Sequence, residues 1–186
     1  MNETKENPFK VPILGHAKKH RDVVHGAQSV NQQVSDPFRR PTFDYDLWAN
    51  RPEKESDILQ NTLDKKIAGG RDQFYAEKWN VAGSTEFVYR VKDRNTGEVV
   101  ADFMKMPGKT KGLYKVIGGV RYETLEHAKE VYRSILNNPE LRHRHSKSAR
   151  DLDRILAFER SLKKGEPIRN VQSPFAMFQV KPQWRF

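Results

Sequence analysis

Between Arg40 and Trp48, apolar and polar side chains alternate, with Phe43, Tyr45 and Leu47 on one side and Thr42, Asp44 and Asp46 on the other. A period of two predicts a strand with one buried face, so both carboxylates share a face, roughly 6–7 Å apart along the strand. Strand patterns recur at Gln73 to Lys78, Thr85 to Lys92 and Glu98 to Met104, the last two joined by the hairpin turn Asp93-Arg94-Asn95-Thr96-Gly97. A shorter hairpin spans Leu113 to Tyr122 with Gly118-Gly119 at its turn.

Helical spacing alternates with these runs. From Lys18 onward Val23, Val24, Ala27 and Val30 form a stripe, interrupted by Gly26, which marks a helix break or a close backbone approach. A second helix follows an Asn50 cap with Pro52 in its first turn, carries Ile58, Leu59, Leu63 and Ile67, and ends at Gly69-Gly70. A third starts at Thr124 with Leu125, Ala128, Val131, Tyr132, Ile135 and Leu136 inward. The last runs from about Ser146 to Lys163 with Leu152, Ile155, Leu156, Phe158 and Leu162 inward. The pattern predicts an α+β protein: a mixed sheet flanked by helices, with a C-terminal helical part. Residues 1–20, with Pro8 and Pro12, read as a basic N-terminal arm. Residues 21–110 read as the core, and 111–165 as a hairpin and helices packed on it. Residues 166–186, with Phe175, Phe178, Trp184 and Phe186, read as a tail that needs a surface to lie on.

Composition narrows the classes. The chain has 186 residues, 36% hydrophobic and 31% charged, which suits one lean domain with polar extensions. No apolar run approaches a membrane span and no signal-peptide pattern opens the chain. Cysteine is absent, which removes disulfides and thiolate metal sites and favours a cytoplasmic, intracellular setting. The net charge of +10 points to a polyanionic partner such as nucleic acid or nucleotides. The arm and the tail are candidate contacts for a protein partner. No histidine spacing suggests a metal site, and His143 and His145 flank Arg144 in a basic cluster.

Two like charges on one strand face cost energy unless a cation lies between them. A hard cation such as Mg²⁺ or Mn²⁺ meets that need and keeps positions open for a phosphate substrate. The plain alternative is a solvated face met by Lys or Arg. A third carboxylate, Asp102, interrupts the apolar run Val99 to Phe103, either as a site residue or as a surface acid on an edge strand. A sheet that set Asp102 beside Asp44 and Asp46 would gather three carboxylates on one rim, as a two-metal phosphoryl-transfer centre requires. The turn at Gly26 would offer backbone N–H groups and the positive end of a helix to phosphates.

These residues carry a resemblance. His25-Gly26-Ala27-Gln28-Ser29-Val30-Asn31 followed by Arg40-Pro41-Thr42-Phe43-Asp44-Tyr45-Asp46-Leu47 resembles the signature of the DNA polymerase β-type nucleotidyltransferase superfamily, closest to its minimal, AbiEii toxin-like branch. Gly119 to Glu126 and Arg144 to Asp153 resemble that branch's entry to its helical part and its closing helix, so the likeness covers about residues 22 to 160. It implies a nucleotidyltransferase fold and transfer of a nucleoside monophosphate from an NTP, ATP included, to a hydroxyl. By position, Asp44, Asp46 and Asp102 match the catalytic and Mg²⁺-binding acids. Gly26 matches the phosphate turn, and Lys147 and Asp151 match residues facing the nucleotide; Ala27, Gln28, Ser29, Arg40, Thr42 and Arg150 are further candidate nucleotide-binding residues. Ala27 and Gln28 stand where the turn usually has its second Gly and a Ser or Thr, and Tyr132 stands where the branch usually has a lysine. With the basic charge, the expected acceptor is RNA or tRNA. The alternative is a nucleic-acid-binding or structural assembly protein on an inactive copy of the fold.

Overall fold

The computed structural model describes residues 7–80 and 87–164. Seven strands form one mixed sheet: β1 (Val23–His25), β2 (Tyr45–Ala49), β3 (Phe74–Asn80), β4 (Phe87–Asp93), β5 (Val99–Lys105), β6 (Tyr114–Ile117) and β7 (Val120–Glu123), in the order β3-β4-β5-β2-β1-β7-β6. The central pairs β2–β5 and β1–β7 are parallel and the others antiparallel. Five α-helices flank it: α1 (Lys10–His20), α2 (Gly26–Gln33), α3 (Pro52–Lys66), α4 (Leu125–Asn137) and α5 (Arg142–Lys164). The expected α+β architecture, a mixed sheet with flanking helices and a C-terminal helical part, is what the chain adopts.

Strand alternation sorts the two faces of the sheet. Tyr45, Leu47, Ala101 and Phe103 point to one side, where they join Ile13 and Ala17 of α1 and Leu59 and Leu63 of α3 in the main core. Burying a leucine such as Leu59 contributes about 2 kcal/mol, and cutting it to Ala costs about 2–5 kcal/mol. On the other side, Val30 of α2, Leu125, Ala128 and Tyr132 of α4 and Ile155 of α5 form a second cluster. Trp48 belongs to a third with Val23 and Leu113. The Asp44–Asp46 segment therefore meets two layers, with its acids turned away from the main core.

Several expectations change. Residues 10–20 are helix, and Ile13 and Ala17 are fully buried, so this stretch is part of the core and not a free arm. Pro12 lies in the first turn of α1, where no intrahelical N–H bond is lost. The stripe from Lys18 is broken by β1: Arg21, at φ 60°, ends α1, and Val23 and Val24 pair with β2 and β7 before α2 begins at Gly26. β2 starts at Tyr45, which leaves Phe43 exposed. Asn50 is not a cap, since Arg51 occupies that position without a side-chain bond. Leu162 and Ile67 are exposed rather than inward, and α5 begins four residues earlier than Ser146. Thr124 does cap α4, accepting from the His127 N–H. The 166–186 tail lies outside the described residues, and among the described residues no helix is long and apolar enough to cross a membrane.

Candidate active site

Register across the sheet builds a row of side chains. His25 of β1 faces Asp46 of β2, Asp46 faces Asp102 of β5, Asp102 faces Arg90 of β4, and Arg90 faces Glu77 of β3. Partners in register share a face, so Asp46 and Asp102 are neighbouring carboxylates at the middle of the sheet. β5 is an interior strand, which overturns the edge-strand explanation of Asp102. Asp44 lies one residue before β2, half-buried, with its Oδ1 accepting from the Thr42 hydroxyl at 2.7 Å. Like charge and burial leave a mark on the row. Burial, then the charge of Asp44, pushes the Asp46 carboxyl up to about 6, against the pull of Lys147 and Arg144. Asp102 is also raised to about 6, first by burial and then by Asp46, although Arg90 bonds it at 3.2 Å and pulls the other way.

Gly26 is required where it stands. Its φ is 65°, and a Cβ there would sit 2.6 Å from Asp46 Oδ2. Both the backbone conformation and the space demand glycine. The turn thus holds α2's first residue against the carboxylate, the close approach that the sequence raised as one of two readings. Its N–H is not free: it donates to Glu123 Oε2 at 3.0 Å. Glu123, buried at the end of β7, also pairs with His127 Nδ1 at 2.7 Å, and its carbonyl accepts from Ser29 and Gln33. A carboxylate at a helix N-terminus is stabilised by the same dipole that attracts phosphate.

An open cleft of about 190 Å³ lies over the His25–Asp46 end of this row. His25, Gly26, Ala27, Asp46 and Trp48 form one wall. Val131, Tyr132 and Ile135 of α4, with Arg144, Lys147, Ser148 and Asp151 of α5, form the other. His25 stacks on Trp48 with ring centroids 4.2 Å apart, and burial lowers its pKa to about 4, so the ring is neutral at pH 7. The Tyr132 hydroxyl, buried without a hydrogen-bond partner, holds its proton more tightly than a free phenol because of burial.

The expected site residues divide accordingly. Gly26, Ala27, Asp46, Lys147 and Asp151 line one cleft, with Asp44 and Asp102 flanking Asp46. Asp151 is pinned by Arg40 through Nε at 2.8 Å and NH2 at 3.2 Å, and by Arg154 at 3.0 Å. Gln28 donates to the Thr42 carbonyl, and Ser29 is buried against the Glu123 carbonyl, so both face the scaffold. Arg150 is exposed on α5 and bonds the Ser146 carbonyl. Sequence reading missed His25, Trp48, Glu123, His127 and Arg144 as site-forming residues. It also missed a histidine pair on α1: His16 and His20 are four residues apart, one helical turn, and converge on Glu55.

No family model and no curated protein matches the chain. Solved structures do. The Megavirus polyadenylate synthase matches with a TM-score of 0.58 at 15% identity, over 80% of this chain and 30% of that one. JHP933 from Helicobacter pylori matches with a TM-score of 0.46 at 11% identity, over 84% of this chain and 73% of that one. The chain thus spans less than a third of the length of the viral enzyme. At 15% identity what the chain shares with the viral enzyme is its architecture, the nucleotidyltransferase fold.

Proposed function

We propose that the chain is a nucleotidyltransferase that moves a nucleoside monophosphate from an NTP to a hydroxyl on RNA. The observation that carries this reading is the Asp46–Asp102 pair: two adjacent, partly desolvated carboxylates with Asp44 beside them and a glycine that keeps the space over Asp46 Oδ2 clear. The donor set is hard oxygen and carries excess negative charge, which fits Mg²⁺ or Mn²⁺. Asp44, Asp46 and Asp102 would hold it, and when bound it would activate the acceptor hydroxyl and neutralise the triphosphate. The other assignments follow from placement. Asp102, ionised at neutral pH with its carboxyl poised near 6, accepts the proton of the attacking hydroxyl. Lys147 and Arg144 face the cleft and neutralise phosphate charge, while Ala27 lets the backbone approach. Arg40, Thr42 and Gln28 position the strand entry and α5 around the nucleotide. Asp151 keeps Arg40 in place. Arg150, with the net charge of +10, supports an RNA acceptor. The fold shared with a polyadenylate synthase supports the same acceptor. The helix bearing Lys147 and Asp151 on the cleft supports the AbiEii-like branch.

One observation favours a second reading. The Gly26 N–H is already engaged by Glu123, which occupies part of the phosphate turn with a carboxylate. An inactive copy serving as a nucleic-acid-binding or assembly module would keep that arrangement. Labelled NTP incubated with RNA and Mg²⁺ separates the two. Transfer to RNA that disappears in Asp46→Asn supports the enzyme, and transfer that persists undiminished in Asp46→Asn contradicts it.

A further inference from the structure

On the face of the sheet opposite the carboxylate row, four side chains from three segments converge. His16 and His20 come from successive turns of α1, Asp22 from the residue after the α1 turn, and Glu55 from the first turn of α3. Phe103 floors the group edge-on beneath His16, with ring centroids 5.6 Å apart. Since Phe103 and Asp102 are consecutive on β5, they point to opposite faces, so this group is separate from the row containing Asp46.

Its geometry is unusual for an ordinary ion-pair network. His16 Nε2 lies 3.3 Å from Asp22 Oδ2 and 3.5 Å from Glu55 Oε2, and His20 Nδ1 lies 2.8 Å from the same Glu55 oxygen. Yet His16 Nε2, Asp22 Oδ2 and Glu55 Oε2 are all buried, and none makes a hydrogen bond of acceptable direction. The His16 and Asp22 side chains are 2% and 3% exposed, out of reach of bulk solvent. A buried polar atom left unpaired costs about 1–3 kcal/mol, and His16 Nε2 with the Asp22 and Glu55 oxygens beside it leaves three of them together. The ring nitrogens of His16 and His20 and a Glu55 oxygen lie within 4.8 Å of one another, a donor set that suits a cation, and Asp22 adds a carboxylate beside His16. Tetrahedral bonds of about 2.05 Å set donor atoms about 3.4 Å apart, close to the two His16 contacts. The imidazole rings already stack in parallel, 4.4 Å apart at 10°, as two histidines one helical turn apart can present themselves to a single ion. Arg21 adds a backbone cost. A non-glycine residue at φ 60° is strained by about 1 kcal/mol or more, and this bend is what returns Asp22 toward His16.

We propose that His16, His20 and Glu55, with Asp22 against His16, form a structural zinc site that fastens α1 to α3 on the back of the sheet. Two imidazoles with a carboxylate oxygen suit Zn²⁺ better than Mg²⁺, which avoids nitrogen donors. The three donors tie α1 to α3 behind the main core, so the ion would hold structure.

The test uses the full chain. After exhaustive dialysis, the protein is expected to retain one zinc per chain by elemental analysis. Retention should be unchanged in Asp46→Asn and lost in His16→Asn. Chelator should lower Tm of the parent by several degrees, and added Zn²⁺ should restore it. If His16→Asn does not fold, Co²⁺ substitution of the parent gives a second readout, expected as the strong visible absorption of a tetrahedral Co²⁺ complex. A parent protein that binds neither Zn²⁺ nor Co²⁺ at this site overturns the proposal. So does zinc that is retained in His16→Asn, or zinc lost in Asp46→Asn, which would assign it to the other face.

Discussion

The two faces of the sheet carry two polar groups built on opposite principles. On one face, Asp46 lines an open cleft with Asp102 beside it, and both carboxyls are raised to about 6 because burial and like charge work together. On the other, His16, His20, Asp22 and Glu55 combine basic and acidic groups largely out of solvent. The first group has surplus negative charge beside an open cleft. The second brings three donors within 4.8 Å of one another, enough to grip one small cation. The difference teaches how to separate a site that turns over from one that holds. The former keeps unbalanced charge next to accessible space, and the latter surrounds its charge with protein.

Breaking the open side should give the largest effect. Asp46→Asn removes one charge from the central pair and should lower nucleotide transfer by about 10³-fold or more, corresponding to roughly 4 kcal/mol of barrier, measured as initial rate with labelled NTP. The wall of the cleft comes next. Asp151 is 2% exposed and shared by Arg40 and Arg154. Removing one partner of a buried pair costs about 3–5 kcal/mol, less where the charge keeps a second partner. Arg40→Ala should therefore lower unfolding free energy by about 2–3 kcal/mol in urea, and Arg40→Ala with Asp151→Asn should cost less than the sum of the two.

How the sequence foreshadowed these sites depended on range. Asp44, Asp46 and Gly26 were readable because alternation and a glycine are local signals, and Asp102 because it breaks an apolar run. Glu123 and His127 were not. They reach Gly26 through the parallel pairing of β1 with β7, across about a hundred residues with no local pattern. Helix α1 was obscured by Pro12, which reads as a breaker unless it is known to lie in a first turn. The histidine pair was hidden because its ligand partner, Glu55, lies on another helix and looks like a surface acid at a helix start. The carrying elements were legible, and the contacts that finish each site were tertiary.

Smaller effects sharpen the contrast. A carboxyl whose folded pKa lies above its unfolded one binds extra protons in the folded state between the two values. For Asp46 and Asp102, raised from 3.8 to about 6, stability in the absence of divalent cations should fall as pH rises from about 4 to 6. His25, lowered to about 4, acts in the other direction over an overlapping window, losing stability as pH falls from 6.5. Comparing Asp46→Asn with the parent isolates the carboxylates. The variant should be more stable at pH 7 by on the order of 1–2 kcal/mol, and the gain should vanish near pH 4. Smallest of all, Arg150→Ala on the exposed face of α5 should change stability by less than about 0.5 kcal/mol. It should still reduce the salt dependence of RNA binding by about one counterion.

The central claim is that the Asp46–Asp102 pair holds the metal on which an NTP rests, and its most direct test is the melting temperature with Mg²⁺ and a non-hydrolysable NTP. At a hundredfold excess over Kd, ligand binding should stabilise the parent by about 2.7 kcal/mol, a rise in Tm of roughly 5–10 °C for a chain of this size. The same additions should leave Asp46→Asn unshifted. An equal rise in Asp46→Asn, or none in the parent, would contradict the account.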